Sequence, residues 1–365
     1  MALTFEHVTW GQRVLFGAGQ AARYLEQEVQ RLDAHRIMLI ASPRAQDLAV
    51  DLTINIDFTI NYENVVMHVP IEAAREARMI ARENAVDLLV CVGGGSATGL
   101  AKAVALETGL PIIAIPTTYS GSEATNVWGL TEQERKTTGV DDGVLPVTVI
   151  YDANLTTSLP VELSVASGLN GMAHCIDSLW GPQADPINQV LATEGLSALA
   201  NGLTAIVGQP DNLPGREQLL YGAYLSAVAF ASAGSGLHHK ICHVLGGTFD
   251  LPHAQTHATV LPYVLAFNMD AAPQAQARIA QALDADDALE GLQQLRARLN
   301  APDNLADYGF RQEDIAEAVD LILPAVPENN PRTVTTEELT KLLNAALHGT
   351  DPTILRSTPA ATTRG

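Results

Sequence analysis

At about 150 residues per domain, a chain of 365 residues makes two domains, or one large one with a deep cleft. Its 21 Lys and Arg stand against 41 Asp and Glu, a formal net charge of −20. A field of that sign repels phosphate backbones and anionic headgroups, which argues against nucleic acid and membrane surfaces as partners. With 47% hydrophobic and 17% charged residues, the chain lies outside the regime of disorder.

The N-terminus, MALTFEHVTW, lacks the basic start and apolar run of a secretory signal, and no run of 18 apolar residues offers a spanning helix. The three cysteines, Cys91, Cys175 and Cys242, are an odd number scattered through apolar surroundings and read as reduced thiols. A cytoplasmic protein is the expectation. From residue 37 the text alternates apolar β-branched runs, IMLIAS (37–42), LLVCVGGG (88–95), PIIAIPTT (111–118) and VTVIYD (147–152), with amphipathic stretches such as Ala73 to Asn84 and Gly99 to Thr108. That is βαβ grammar, and it predicts a doubly wound parallel sheet. After LTTSLP (155–160) the β-branched runs vanish, and 187–207, 216–232 and 274–298 carry helical spacing. The expected division is an α/β nucleotide-binding domain over 1–158, an all-α domain over 159–352, and a loose tail over 353–365.

Three constellations point to chemistry. Gly93, Gly94, Gly95 and Ser96 join a strand to a helix. Glycines there let the backbone approach a pyrophosphate, while free N–H groups and the Ser96 hydroxyl bond its oxygens. The spacing is not GxGxxG, so the common dinucleotide fingerprint is absent. A second loop, PTTYSGSEAT (116–125), follows the next strand, where open parallel sheets bind ligands. Its hydroxyls include those of Thr117, Thr118, Tyr119, Ser120 and Ser122, and Lys136 is a candidate cation for the same anion. The third lies in the helical half. Asn170 and His174 stand four apart on one helix face, His239 and His243 repeat that spacing, and His253 and His257 follow, so that five histidines fall between 238 and 257. Imidazoles from separate segments suit a divalent metal or a hydride-transfer site.

GGGS (93–96), PTTYSGSEAT (116–125), LTTSLP (155–160), NGMAHCID (170–177) and HKICHVLGG…LPH (239–253) together resemble the iron-containing, group III alcohol dehydrogenase family. The likeness runs over nearly the whole chain. It implies a nucleotide-binding domain, a helical domain and an active site in the cleft between them, and by analogy a homodimer. In metal-dependent members an Asp and three His hold the cation. The matching positions are Asn170, His174, His239 and His253, with His243 matching a histidine near nicotinamide and substrate. An amide brings no charge to a cation, so no required metal is expected.

Within the family the sequence looks most like the maleylacetate reductase branch. That implies NADH- or NADPH-dependent reduction of 2-maleylacetate, a small dicarboxylate, to 3-oxoadipate in the degradation of resorcinol- or hydroxyquinol-type aromatics. On this reading His243 and His253 surround the reacting atoms, Tyr119 is a hydroxyl donor, and Lys240 or His239 meets a substrate carboxylate. After the first strand Ala41-Ser42-Pro43-Arg44 offers no acid to repel a 2′-phosphate, so Ser42 and its neighbours admit both coenzymes. The competing readings are a metal-dependent alcohol dehydrogenase acting on a small alcohol or aldehyde, a dehydroquinate-synthase-like lyase, and a nucleotide-binding regulator with a decayed site.

Overall fold

Nearly continuous apolar runs form strands only where both faces of a sheet are covered, and the first half of the chain builds such a sheet. A computed structural model describes residues 4–52, 56–133 and 135–357. The first half runs β1 (Arg13–Phe16), α1 (Ala21–Arg31), β2 (Ile37–Ala41), α2 (Pro43–Leu52), β3 (Phe58–Tyr62), α3 (Ile71–Glu83), β4 (Leu88–Gly93), α4 (Gly95–Thr108), β5 (Ile112–Pro116), β6 (Val127–Glu132), β7 (Arg135–Val140) and β8 (Thr148–Tyr151). Six strands lie in the order β1-β8-β5-β4-β2-β3, all parallel. Side-chain alternation sends Met38, Ile40, Leu89 and Ala114 to one face, under α3 and α4. Ile37, Leu39, Val90 and Ile115 go to the other, where Ala21 and Leu25 of α1 cover them. The doubly wound sheet expected from the sequence is present.

β6 and β7 form a separate antiparallel hairpin that the sequence pattern does not announce. Its turn holds Gln133 rather than an Asn-Gly signal, and Trp128 is paired with Gly139. A Cβ on Gly139 would stand 2.5 Å from the indole, so glycine lets the ring lie across the partner strand.

The second half is helical: α5 (Val161–Ser178), α6 (Pro186–Gly208), α7 (Leu213–Ala233), α8 (Leu237–Thr248), α9 (His253–Asn268), α10 (Pro273–Ala282), α11 (Ala288–Leu299), α12 (Ile315–Ile322) and α13 (Thr336–His348). By length and composition α6 is apolar enough to cross a membrane. Here it is a core helix, with Leu196, Leu199, Leu203 and Ile206 fully buried in one cluster with residues of α5, α7 and α9. The stretch 274–298, expected as one helix, is two. Asp284 adopts φ 51°, and Asp287 starts α11 by accepting the N–H groups of Leu289 and Glu290, an N-cap signal latent in LDADDAL.

The end of the chain corrects another expectation. Residues 353–357 are docked rather than loose: Leu355 is buried, and the Arg356 guanidinium meets Asp270 at 2.8 Å and Asp287 at 3.1 Å. Residues 358–365 lie outside the described residues.

Candidate active site

The two polar loops meet at the carboxyl ends of neighbouring strands. Gly93, with φ +146°, ends β4 opposite Pro116 of β5, and the Thr117 N–H donates to the Gly93 carbonyl at 2.9 Å. A Cβ on Gly94 would stand 2.9 Å from Thr118 Cγ2, and one on Gly95 3.4 Å from Ser120 Oγ. The loops approach that closely because both positions lack a side chain. Gly94 is also the N-cap of α4 and gives it no side-chain cap, which leaves the first-turn N–H groups at Gly95 and Ser96 for an anion. Thr117, Thr118, Ser120 and Ser122 are all half-buried around this point. Ser42 follows Ala41, which pairs with Val92 of β4, so it lies at the same end of the sheet. Lys136 stands on β7 opposite Thr131; its side chain lies outside the described residues.

Two residues that the motifs do not include shape this cradle. Lys102 is fully buried and donates to the carbonyls of Ser122 (2.6 Å), Thr125 (2.7 Å) and Val127 (2.9 Å) and to the Thr125 hydroxyl. Burial pulls its ammonium down to about 7, against the attraction of Glu123. The clue in the sequence is a single cation inside the apolar stretch LAKAVAL. The other is Ser167 on α5, whose hydroxyl accepts the Tyr119 N–H at 3.0 Å and pins the loop to the helical domain.

From Ser167, the same helix leads to the imidazoles. Asn170 and His174 follow at i+3 and i+7, the latter about 10 Å along the axis from Ser167. His174 stacks on Phe230 (centroids 4.7 Å) and on His239 (4.9 Å, 17° between planes). His239 also lies 6.0 Å from His243 and 4.9 Å from His257, and His257 lies 4.4 Å from His253. The structure thus brings His174, His239, His243, His253 and His257 into one cluster built by α5, α8 and α9. His243 and His253 are half-buried, while the others are buried.

The residue that orients this wall is Asp177, which no motif singles out although it sits one turn beyond His174. The His239 Nδ1–H donates to Asp177 Oδ2 at 2.7 Å, and the N–H groups of Gly236 (3.1 Å) and His239 (3.2 Å) donate to the same oxygen. Burial pushes the Asp177 carboxyl up to about 7 while these donors pull the other way. Burial and the neighbouring imidazoles hold His239 well below its ordinary value, which favours the neutral ring, and Oδ2, already the acceptor of two backbone N–H groups, accepts from Nδ1 as well. That bond fixes the tautomer: Nδ1 carries the proton, and Nε2, buried and without a hydrogen-bond partner, keeps its lone pair. Burial also pushes His174 down to about 4.

Tyr119 is placed differently from its expected role. It is fully buried, and its hydroxyl accepts a hydrogen bond from Arg216 at 3.0 Å. Arg216, itself fully buried, spends its other donors on Ser164 and on the carbonyls of Leu159 and Pro210. Tyr119 is therefore a core residue. His239 is likewise no cation for a substrate carboxylate, because it is neutral and already holds Asp177. Lys240 is half-buried on α8.

With this geometry in view, comparison with known proteins is direct. Residues 11–153 match the family model of iron-containing alcohol dehydrogenases, and 164–347 match the model of that family's C-terminal part. The chain belongs to the iron-containing alcohol dehydrogenase family. It is similar to a maleylacetate reductase of Pseudomonas sp. strain P51, at 41% identity over 96% of this chain and 99% of that one. Among solved structures it is similar to an iron-containing alcohol dehydrogenase of Corynebacterium glutamicum, with TM-score 0.95 and 63% identity over 97% and 100% of the two chains. A maleylacetate reductase of Agrobacterium tumefaciens has TM-score 0.90 and 38% identity over 96% and 99%. Membership makes the protein an NAD(P)H-dependent oxidoreductase with the fold just described.

At the family's metal positions Asn170 Oδ1, His174 Nδ1 and His239 Nε2 are buried without hydrogen-bond partners, yet none of these donors carries a charge to meet a dication. Asn170 supplies a neutral amide, and the nearby carboxylate of Asp177 is engaged by three N–H donors. Among the described residues, the donor atoms of His174, His239 and His253 do not gather within 4.8 Å of one another, farther apart than ligands of one ion at about 2.0–2.1 Å each stand.

Proposed function

We propose that the protein is a maleylacetate reductase, reducing the C=C bond of 2-maleylacetate to give 3-oxoadipate in the breakdown of resorcinol- or hydroxyquinol-type aromatics, with no required metal. The observation that carries this reading is the imidazole wall itself: an amide where the family has a carboxylate, with His239 oriented by Asp177 beside His243 and His253. The identity with maleylacetate reductases over nearly the full length supports it.

A reduced nicotinamide, when bound, supplies a hydride to the carbon β to the substrate's ketone. The chain's part is to meet the charge that collects on the ketone oxygen and to deliver a proton to the adjacent carbon. His243 and His253, half-buried where the other imidazoles are buried, take these two roles, and His239 packs behind His243 with its tautomer fixed. Lys240 meets a substrate carboxylate. Gly93, Gly94, Gly95, Ser96, Thr117, Thr118, Ser120 and Ser122 hold the pyrophosphate, with Lys136 adding charge. Ser42, in a turn without an acid, admits NADPH as well as NADH. The setting fits a cytoplasmic homodimer, with residues 1–158 and 159–352 as cofactor and catalytic domains and no nucleic-acid or membrane partner.

One observation favours a second reading, a metal-dependent alcohol dehydrogenase: the 63% identity with the Corynebacterium protein of that name. NADH oxidation, followed with fresh maleylacetate and with a short-chain aldehyde, each with and without EDTA, separates the two. The proposal expects chelator-insensitive turnover of maleylacetate. Activity on the aldehyde alone, lost on chelation and restored by iron or zinc, overturns it.

A further inference from the structure

His238 and Cys242 stand four apart on α8 and so share a face, and His257 is one turn into α9. His238 Nε2 lies 3.0 Å from His257 Nδ1 and 3.6 Å from Cys242 Sγ. All three side chains are buried, at 0%, 0% and 1% exposure for His238, His257 and Cys242, and their donor atoms gather within 4.8 Å of one another. No other trio of His, Cys, Asp or Glu among the described residues does so. A tetrahedral zinc site with Zn–N of about 2.0–2.1 Å and Zn–S of about 2.3 Å spaces its donors by roughly 3.3 Å from N to N and 3.6 Å from N to S, close to the spacing seen here.

We propose that His238, Cys242 and His257 form a binding site for a thiophilic divalent cation of the zinc class, distinct from the positions where the family holds its metal. The donor chemistry is that of such an ion, two imidazoles and a sulfur. Burial and the Asp177 carboxylate push the Cys242 thiol well above its ordinary value, so the thiolate forms only with the cation, and the two negative groups then neutralise a dication that burial would otherwise penalise. On binding, the Cys242 S–H bond breaks and its proton leaves to solvent. The His238–His257 hydrogen bond gives way to two N–metal bonds: the ring that donated it moves its proton to its own far nitrogen, His238 Nδ1 or His257 Nε2, so that each ring keeps one N–H and offers one lone pair, and no electron changes hands. The ion would tie α8 to α9 behind His239 and His253. Its occupancy is therefore a property of the wall's rigidity, independent of which substrate the cleft accepts.

The test is titration of the reduced, chelator-treated full-length protein with Co2+. The expected result is about one equivalent bound, with the near-ultraviolet thiolate-to-cobalt absorption that only sulfur ligation produces and with displacement by zinc. Cys242→Ser should abolish that absorption and weaken binding roughly tenfold or more, while His253→Ala should keep both. Should Cys242→Ser fail to fold, cadmium NMR of the wild-type protein reads sulfur ligation directly. Cobalt bound without the absorption, an absorption that survives Cys242→Ser, binding lost in His253→Ala but kept in Cys242→Ser, or a cadmium resonance without sulfur character would each overturn the proposal.

Discussion

Asp177→Asn changes one oxygen for a nitrogen with almost no change in shape, and the neighbours of the carboxylate set its effect. Oδ2 faces three N–H donors, so the amide must keep its oxygen there and turn its NH2 to the Oδ1 side, where the buried atom has no hydrogen-bond partner. A Cβ on Gly236 would stand 2.6 Å from Oδ1, so that corner is tight as well. An unsatisfied buried amide costs about 1–3 kcal/mol, and the variant should be less stable by that amount. The bond to His239 survives but loses its charge. A hydrogen bond to an ionised group is worth about 1.5–3 kcal/mol against about 1 for a neutral one, and the His239 ring loses its anchor whenever positive charge develops in the wall. A loss of the difference, about 0.5–2 kcal/mol in the transition state, lowers kcat roughly 2- to 30-fold, with the NADH KM within about twofold because the cradle lies elsewhere. The assay is maleylacetate-dependent NADH oxidation at saturating substrate, paired with nitrogen NMR of the imidazoles to read the His239 tautomer. A variant with a lower melting temperature, an unchanged tautomer and a wild-type kcat would refute the argument and leave Asp177 a packing residue.

Other perturbations separate the remaining roles. Tyr119→Phe removes a hydroxyl that meets Arg216, Thr156 and Ser164 and should cost about 1–3 kcal/mol of stability with kcat within about twofold; a loss of activity beyond that in urea-titrated, fully folded enzyme would return Tyr119 to the chemistry. Gly94→Ala drives a methyl group against Thr118 and should cost about 1–3 kcal/mol in coenzyme binding, seen as a weaker NADH fluorescence titration. His243→Ala should depress turnover far more than coenzyme affinity, and near-normal values of both would relocate the site. For pH, the folded His174 and His238 are pushed down to about 4 and about 3, and His239 and His257 well below their ordinary value. The unfolded chain therefore takes up more protons as pH falls from about 6.5, and stability is lost in that direction. Asp177 and Glu123, both raised, offset part of this. Urea midpoints that stay level from pH 7 to 5 would contradict it.

Much of the fold and the site is legible in the residues. The strands at 37–42, 88–95 and 111–118 announce themselves because both faces are buried, so every position is apolar. The two loops are visible because glycine and hydroxyl density exceeds what turns need. The histidine spacing of four survives as helix faces on α5, α8 and α9. The parts that stay hidden depend on partners distant in sequence. Tyr119 looks available because nothing local reveals Arg216, 97 residues away. His239 looks like a cation until Asp177, 62 residues off, supplies its partner. The β6–β7 hairpin escapes the pattern because its turn lacks the usual residues, and the docked 353–357 segment does so because its anchor, Arg356, pairs with acids contributed by other turns.

The Lys102 ammonium has a consequence for coenzyme exchange. By gathering the carbonyls of Ser122, Thr125 and Val127 around one point, it freezes the far limb of the hydroxyl loop before any ligand arrives. The entropy of ordering that limb, about 1–2 kcal/mol per residue, is spent during folding. On the function proposed above, coenzyme docks into a prepared shape, and its arrival can be fast and its departure frequent without the loop having to melt and re-form in each turnover.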